Sequence, residues 1–305
     1  MRPIPPLERG STPPGGFLGL PEEAQDPARA RVHVLPIPYE ATVSYESGTA
    51  DGPAAIIGAS QQVEMYDQEL DAEPCLEWGV HTLPAAAPSP ESMVQEVAAA
   101  AEPVVASGRL LLALGGEHSI SAGLVRGARR ARSHPLTVVQ IDAHADLRDR
   151  YHEDRYSHAC AMRRILEENE GPLIQIGIRS WSLEEAAFMR TASDRLTVWP
   201  AERVHGMASQ AFLGQLRESV RGRRVYLTID VDGLDPSVVP ATGTPEPGGL
   251  SWAQALDVVR VVCTSGEVIA LDCVELAPRP GLHASEFTVA KLLYKTLSYI
   301  MRARA

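Results

Sequence analysis

Three short segments of this chain gather side chains suited to holding cations. Gly115-Gly116-Glu117-His118-Ser119 follows the apolar run 110–114. Asp142-Ala143-His144-Ala145-Asp146 follows the run 137–141, and Asp230-Val231-Asp232-Gly233-Leu234-Asp235-Pro236 follows 225–229. Residues two apart share one side of an extended backbone, so Asp142, His144 and Asp146 are expected to converge, as are Asp230 and Asp232. Four carboxylates within a few Å cannot all stay ionised without a counter-charge. One divalent ion leaves Asp142, Asp146, Asp230 and Asp232 at a net −2, whereas two bring the set to zero beside neutral His118 and His144. Carboxylates can bridge, so the set predicts two divalent ions roughly 3.5 Å apart. Imidazole and carboxylate without thiolate suits Mn²⁺ and is compatible with Zn²⁺, Co²⁺ or Fe²⁺. Taken singly, a DxD after a strand reads as a turn or cap, and GGEHS as a tight strand-to-helix turn in which Gly supplies backbone freedom. All three at the same end of one sheet point instead to a metal centre.

The elements that must position these residues form a repeating pattern. Continuous apolar runs at 32–37, 110–114, 137–141, 173–178, 196–198, 225–229 and 268–274 read as strands covered on both faces. Between them, amphipathic stretches at 53–66, 91–106, 121–131, 183–190, 210–220, 252–263 and 285–301 read as helices, with Ser209 and Ser251 as caps. Alternation of this kind predicts an α/β fold in three layers, α/β/α, around a mostly parallel central sheet. In open parallel sheets, functional groups collect beyond the carboxyl ends of the strands, where all three segments fall. A Pro/Gly-rich tail, residues 1–30, precedes a single domain over 31–305.

Bulk properties narrow the function classes. The 305 residues carry a net charge of −11, with no basic cluster able to replace the counterions of a nucleic acid. That balance suits a cationic substrate. No run of about 18 apolar residues is present to span a membrane, and the first 29 residues lack the apolar centre of a signal peptide. Cys75, Cys160, Cys263 and Cys273 form no CxxC pair, which predicts reduced thiols in a cytoplasmic protein.

The three segments resemble the signature set of the arginase–agmatinase (ureohydrolase) family: GGEHS, DAHxD and an S/T-x-D-x-D-x-x-D-P-x-x-x-P stretch, here Thr228 to Pro240. The resemblance runs from about Phe17 to the C-terminus and includes Ser47-Gly48-Thr49, Gly52-Pro53 and Glu275-Leu276-Ala277-Pro278. It implies an arginase-like fold and two Mn²⁺ per subunit. His118, Asp142, Asp146 and Asp230 would hold one ion, and His144, Asp142, Asp230 and Asp232 the other, with Asp142 and Asp230 bridging. It further implies hydrolysis of a guanidino group to urea and an amine by a metal-activated water. Asp146 would orient that water, Glu275 would pair with the guanidinium through a forked, charge-assisted hydrogen bond, and His158 would carry a proton to the leaving amine.

Arginases as a family read the amino-acid end of arginine with an Asn-Thr-Pro and Ser-Gly-Asn segment after DAHxD. This chain instead has Leu147 to His158, Leu-Arg-Asp-Arg-Tyr-His-Glu-Asp-Arg-Tyr-Ser-His, similar to agmatinases. The expected substrate is therefore a small cationic guanidino compound, agmatine first, with Asp149, Glu153 or Asp154 placed to meet its distal amine. Arg148 keeps guanidinobutyrate or formiminoglutamate open, and aminopropylagmatine is the longer alternative. The resemblance also implies a homotrimer or homohexamer. A silent metal-binding scaffold would need neither His158 nor Glu275, and a mononuclear deacetylase-like hydrolase would not need His118 and both acids of each pair.

Overall fold

The computed structural model describes residues 5–192, 194–207 and 209–304. Its centre is one eight-stranded sheet: β1 Val32–Ile37, β2 Val80–Thr82, β3 Leu110–Gly115, β4 Thr137–Ile141, β5 Leu173–Ile178, β6 Leu196–Pro200, β7 Arg224–Asp230 and β8 Glu267–Val274. The order across the sheet is β2-β1-β3-β8-β7-β4-β5-β6, and every pair is parallel. Alternate residues of β3 show why its sequence is continuously apolar. Leu110, Leu112 and Leu114 enter the core on one face, and Leu111 and Ala113 enter the core on the other.

Two helical layers cover those faces. The first is built from α1 (Gly52–Ser60), α2 (Pro74–Trp78), α7 (Ala201–Gly206), α8 (Ser209–Val220), α9 (Trp252–Ser265) and α10 (Ala284–Arg304). The second comprises α3 (Met93–Ala106), α4 (Ile120–Arg132), α5 (Ala161–Glu168) and α6 (Leu183–Thr191). This is the expected α/β/α arrangement, with its sheet wholly parallel.

All seven expected strands are present, and β2 is added at one edge; with three residues it is too short to show a pattern in sequence. The seven expected helices are also present, but α1 stops at Ser60 rather than running to 66. There the Ser60 hydroxyl bonds back to the Ile57 carbonyl at 2.7 Å and accepts the Leu18 backbone N–H at 2.8 Å, so the chain turns to meet the N-terminal segment. Helices α2, α5 and α7 escape sequence patterning because each has eight residues or fewer. Ser251 caps α9 in a reciprocal box with Gln254; the Ser209 side chain lies outside the described residues. Within the N-terminal segment, Phe17, Leu18 and Leu20 are buried in the main core, and the Phe17 N–H is fixed by the Thr82 hydroxyl at 2.8 Å. All four cysteines are free and buried. Among the described residues, no helix is long and apolar enough to cross a membrane.

Candidate metal centre

The four central strands β3, β8, β7 and β4 are neighbours, and the loop after each one enters the same cleft. That cleft is lined by His118 from the loop after β3, Glu275 from β8, Asp230 and Asp232 from β7, and His144 and Asp146 from β4. Close backbone approach makes this possible. A Cβ on Gly116 would sit 2.0 Å from the Tyr39 carbonyl oxygen, so only glycine lets the β3 loop pass the β1 loop there.

The acids converge by turns rather than by strand alternation, because β4 ends at Ile141, before Asp142, and β7 ends at Asp230, before Asp232. Asp142 Oδ1 accepts the His144 N–H at 2.6 Å, and Asp230 Oδ1 accepts the Asp232 N–H at 2.9 Å. Each aspartate thus folds the chain over its own side chain. Asp146 and Glu275 both hold left-handed backbone, with φ of 53° and 65°. Such conformations in non-glycine residues are costly and collect at functional sites.

Two groups of ligand atoms result. His118 Nδ1 lies 3.1 Å from Asp142 Oδ2, 3.0 Å from Asp146 Oδ2 and 3.3 Å from Asp230 Oδ2. His144 Nδ1 lies 2.9 Å from Asp232 Oδ2 and 3.8 Å from Asp142 Oδ1. Two sets bring their ligand atoms within 4.8 Å of one another: His118, Asp142 and Asp146, and Asp142, His144 and Asp232, with Asp142 common to both. Asp230 stands beside the first set.

The chemistry of the set fits divalent metal. His118 Nε2 contacts the Thr228 hydroxyl at 2.8 Å, which donates to Asp272 Oδ1 at 2.7 Å. Asp272 also accepts from Ser121 and Tyr226. With its one proton given to Asp272, Thr228 must accept from Nε2–H. His118 Nδ1 is therefore the ring nitrogen left to the three carboxylates that face it; burial opposes charge on the imidazole, but Asp142, Asp146 and Asp230 outweigh it and raise the ring well above its ordinary value. A ligand nitrogen oriented from behind by a hydroxyl and a carboxylate is the usual support of a metal-binding histidine. On the other side, Gln175 holds Gln140 at 2.6 Å, and Gln140 donates to Asp142 Oδ2 at 2.6 Å.

Electrostatics show how closely negative charge is packed here. Burial, then the charges of Asp146 and Asp232, push Asp142 up to about 7. Burial, with Asp232 and Asp142 beside it, also raises Asp230 well above the carboxylate range. Burial opposes charge on His144, but Asp232, Asp142 and Asp146 outweigh it and lift the imidazole to about 11. Concentrated negative charge of this kind is what a divalent cation relieves.

Glu275 and His158 also line the cleft. Glu275 Oε1 accepts the His118 N–H at 2.6 Å, leaving Oε2 without a partner among the described residues. Burial and the nearby Glu117 charge raise this carboxyl well above its ordinary value. His158 is lowered, chiefly by burial. Its Nδ1 is 3.1 Å from the Thr42 hydroxyl, and its ring stands edge-on to Tyr151.

The acids expected at the distal amine are elsewhere. Asp149 is held by Arg164 at 2.7 Å and faces Arg155, and Asp154 Oδ1 accepts the Tyr156 N–H at 2.8 Å. Neither they nor Glu153 line the cleft. Its outer wall is instead Tyr45, Glu46, Arg148, Tyr151, Trp181 and Glu185. The side chains of Tyr45 and Trp181 are exposed. Arg148 sits 3.9 Å from Glu185 and over the Tyr151 ring. Thr42, Tyr45 and Trp181 belong to no motif, and only their exposure or contacts in the fold reveal them.

The chain matches the family model described as the arginase family over residues 30–298. An N(1)-aminopropylagmatine ureohydrolase of Synechocystis sp. is 43% identical over 280 residues, covering 89% of this chain and 90% of that protein. A protein of the same name from Thermus thermophilus is 38% identical over 271 residues, covering 88% and 89%. Among solved structures, the agmatine ureohydrolase of Thermoplasma volcanium matches with a TM-score of 0.80 at 30% identity, over 89% of this chain and 90% of that one. Its GGEHS, DAHAD and TIDVD segments, its sheet order and these likenesses together place the chain in the arginase family of ureohydrolases.

Proposed function

We propose that the protein hydrolyses the guanidino group of N(1)-aminopropylagmatine, releasing urea and the matching triamine, with agmatine as a poorer, shorter substrate. Two relatives of that name support the longer substrate. The observation that carries the reading is the outer wall of the cleft. Tyr45 and Trp181 offer exposed aromatic faces, and Glu46, 3.4 Å from Arg279, a carboxylate, a combination that attracts ammonium groups. Arg148, the cation that could read a carboxylate tail, is already engaged by Glu185 and Tyr151. A guanidino acid is disfavoured on that ground.

In this reading His118, Asp142, Asp146 and Asp230 would hold one divalent ion, and Asp142, His144, Asp230 and Asp232 the other, with Mn²⁺ suited to the donor set. Bound metal supplies Lewis-acid activation of water near neutral pH. The remaining roles fall to the protein. Glu275 Oε2 accepts from the guanidinium while His118 N–H fixes Oε1, orienting the planar group toward the aspartates. Asp146 accepts a hydrogen bond from the attacking water, and His158 delivers a proton to the departing nitrogen.

The test is urea release from Mn²⁺-loaded protein with aminopropylagmatine, agmatine, guanidinobutyrate and arginine. Aminopropylagmatine is expected to lead agmatine in kcat/KM by about tenfold, equivalent to about 1.4 kcal/mol. A lead for guanidinobutyrate would make Arg148 the tail reader and overturn the assignment of the rim.

A further inference from the structure

The loop after β1 meets the loop before α5 at one hydroxyl. Thr42 Oγ1 lies 2.8 Å from Glu117 Oε1, 3.1 Å from His158 Nδ1 and 3.0 Å from the His158 backbone nitrogen. Its three partners account for the whole valence of a hydroxyl, which has one proton to give and two lone pairs to receive.

The direction of each bond follows from Glu117, which is buried. Its Oε2 accepts the backbone N–H groups of Ala41 and Thr42, each at 2.6 Å, and its Oε1 accepts from the hydroxyls of Ser119 and Thr42. Every contact to this carboxylate comes from a donor, so the Thr42 proton is committed to Glu117. Both Thr42 lone pairs then remain for His158, one for its backbone N–H and one for its ring. A hydroxyl that can only accept from the ring requires the ring proton to be on Nδ1. Ser157 Oγ, 3.4 Å from the same nitrogen, can accept a weaker share of that proton. Nε2 is left with its lone pair, and no described residue hydrogen-bonds it.

We infer that Thr42 is a positioning residue for catalysis: through the Glu117–Thr42–His158 chain it holds His158 as the Nδ1–H tautomer, so that Nε2 is the nitrogen that exchanges protons in the cleft. The inference rests on the role given to His158 above. Glu117 acts as the fixed end of the chain, setting the direction of the Thr42 hydroxyl without touching substrate. To deliver a proton from Nε2 and return to the neutral ring, His158 must keep its other proton on Nδ1, where the Thr42 hydroxyl receives it; ordinarily such proton transfer is worth about 10²- to 10⁴-fold in rate.

The test compares Thr42→Val, which keeps the shape and the backbone N–H to Glu117, with Thr42→Ser, which restores the hydroxyl. Ring ¹⁵N shifts of His158, assigned by their loss in His158→Asn, report the tautomer directly in metal-free protein and in protein loaded with diamagnetic Zn²⁺. Wild type and Thr42→Ser are expected to show Nδ1–H, and Thr42→Val a mixture or Nε2–H. In urea release from aminopropylagmatine, Thr42→Val should lose about tenfold or more in kcat with KM within about twofold, and Thr42→Ser should recover most of it. Metal content should equal that of wild type in both. An unaltered tautomer and kcat in Thr42→Val, with His158→Asn inactive, would overturn the positioning role alone. Full activity in His158→Asn would instead remove the proton-carrying role on which it depends. Loss of metal from Thr42→Val would also overturn the inference, since Thr42 would then serve His118 through Glu117.

Discussion

Asp142 is shared by both ligand groups, so Asp142→Asn should weaken both metals at once. The substitution preserves shape, and the amide oxygen can still accept the His144 N–H now received by Oδ1. It does lose the acceptor for Gln140, which Gln175 holds in place. The informative quantity is therefore each protein's own thermal shift on adding Mn²⁺, rather than its absolute Tm. If each metal is supplied at about 100 times its dissociation constant, each stabilises the folded state by about 2.7 kcal/mol, or about 5 kcal/mol for two. An unfolding entropy of about 2.1 cal/mol/K per residue gives roughly 0.64 kcal/mol/K for 305 residues. Wild type should then gain about 8 °C on Mn²⁺ addition, and Asp142→Asn less than about 2 °C. Elemental analysis after gel filtration should find two metals per wild-type chain and fewer than one in the variant. A variant that keeps two metals and the full shift would refute the shared-ligand argument.

Glu275→Gln should retain both metals, because the His118 N–H contact to Oε1 needs only an oxygen. Its kcat/KM for aminopropylagmatine should fall about 10- to 100-fold through loss of a charge-assisted bond; unchanged kinetics would mean the guanidinium is held elsewhere. Metal uptake should release protons, since ligation needs ionised carboxylates and neutral imidazoles. With His144 raised to about 11 and Asp142 to about 7, affinity should climb with pH through neutrality, most steeply below about 7; calorimetry in buffers of different ionisation enthalpy measures this, and zero proton release would contradict the charge argument. Gly116→Ala forces a Cβ to within 2.0 Å of the Tyr39 carbonyl and should destabilise the protein by about 3 kcal/mol in urea unfolding; a loss under about 0.5 kcal/mol would show that the two loops separate freely.

The sheet was legible because strands buried on both faces must be apolar at every position, as in Leu110 to Leu114. Short elements were not, since β2, α2 and α7 span less than two helical turns or two strand repeats. The six acids and histidines stood out by type and by lying after strands. Their route to one another did not, because side-chain-to-backbone turns at Asp142 and Asp230 and the left-handed backbone at Asp146 replace strand alternation. Acids in the loop 147–158 read as substrate contacts, yet Asp149 is drawn away by Arg164, a residue on a helix that sequence patterning missed. Thr42 carries no signal at all in one dimension; its importance comes from what Glu117 and His158 bring to it.

The place of β8 in the sheet has a consequence for the birth of the protein. Residues 267–274 form the last strand among the described residues, yet they lie between β3 and β7 at the centre of the order. A ribosome must therefore deliver every residue through Val274 before the middle of the sheet can close. Until then β3 and β7 each carry an open edge able to pair with another molecule. Glu275 and Asp272 arrive with the same strand, one lining the cleft and the other backing His118 through Thr228. Metal capture would thus be tied to the docking of β8, and an ion bound there would reward only chains in which that strand is in place.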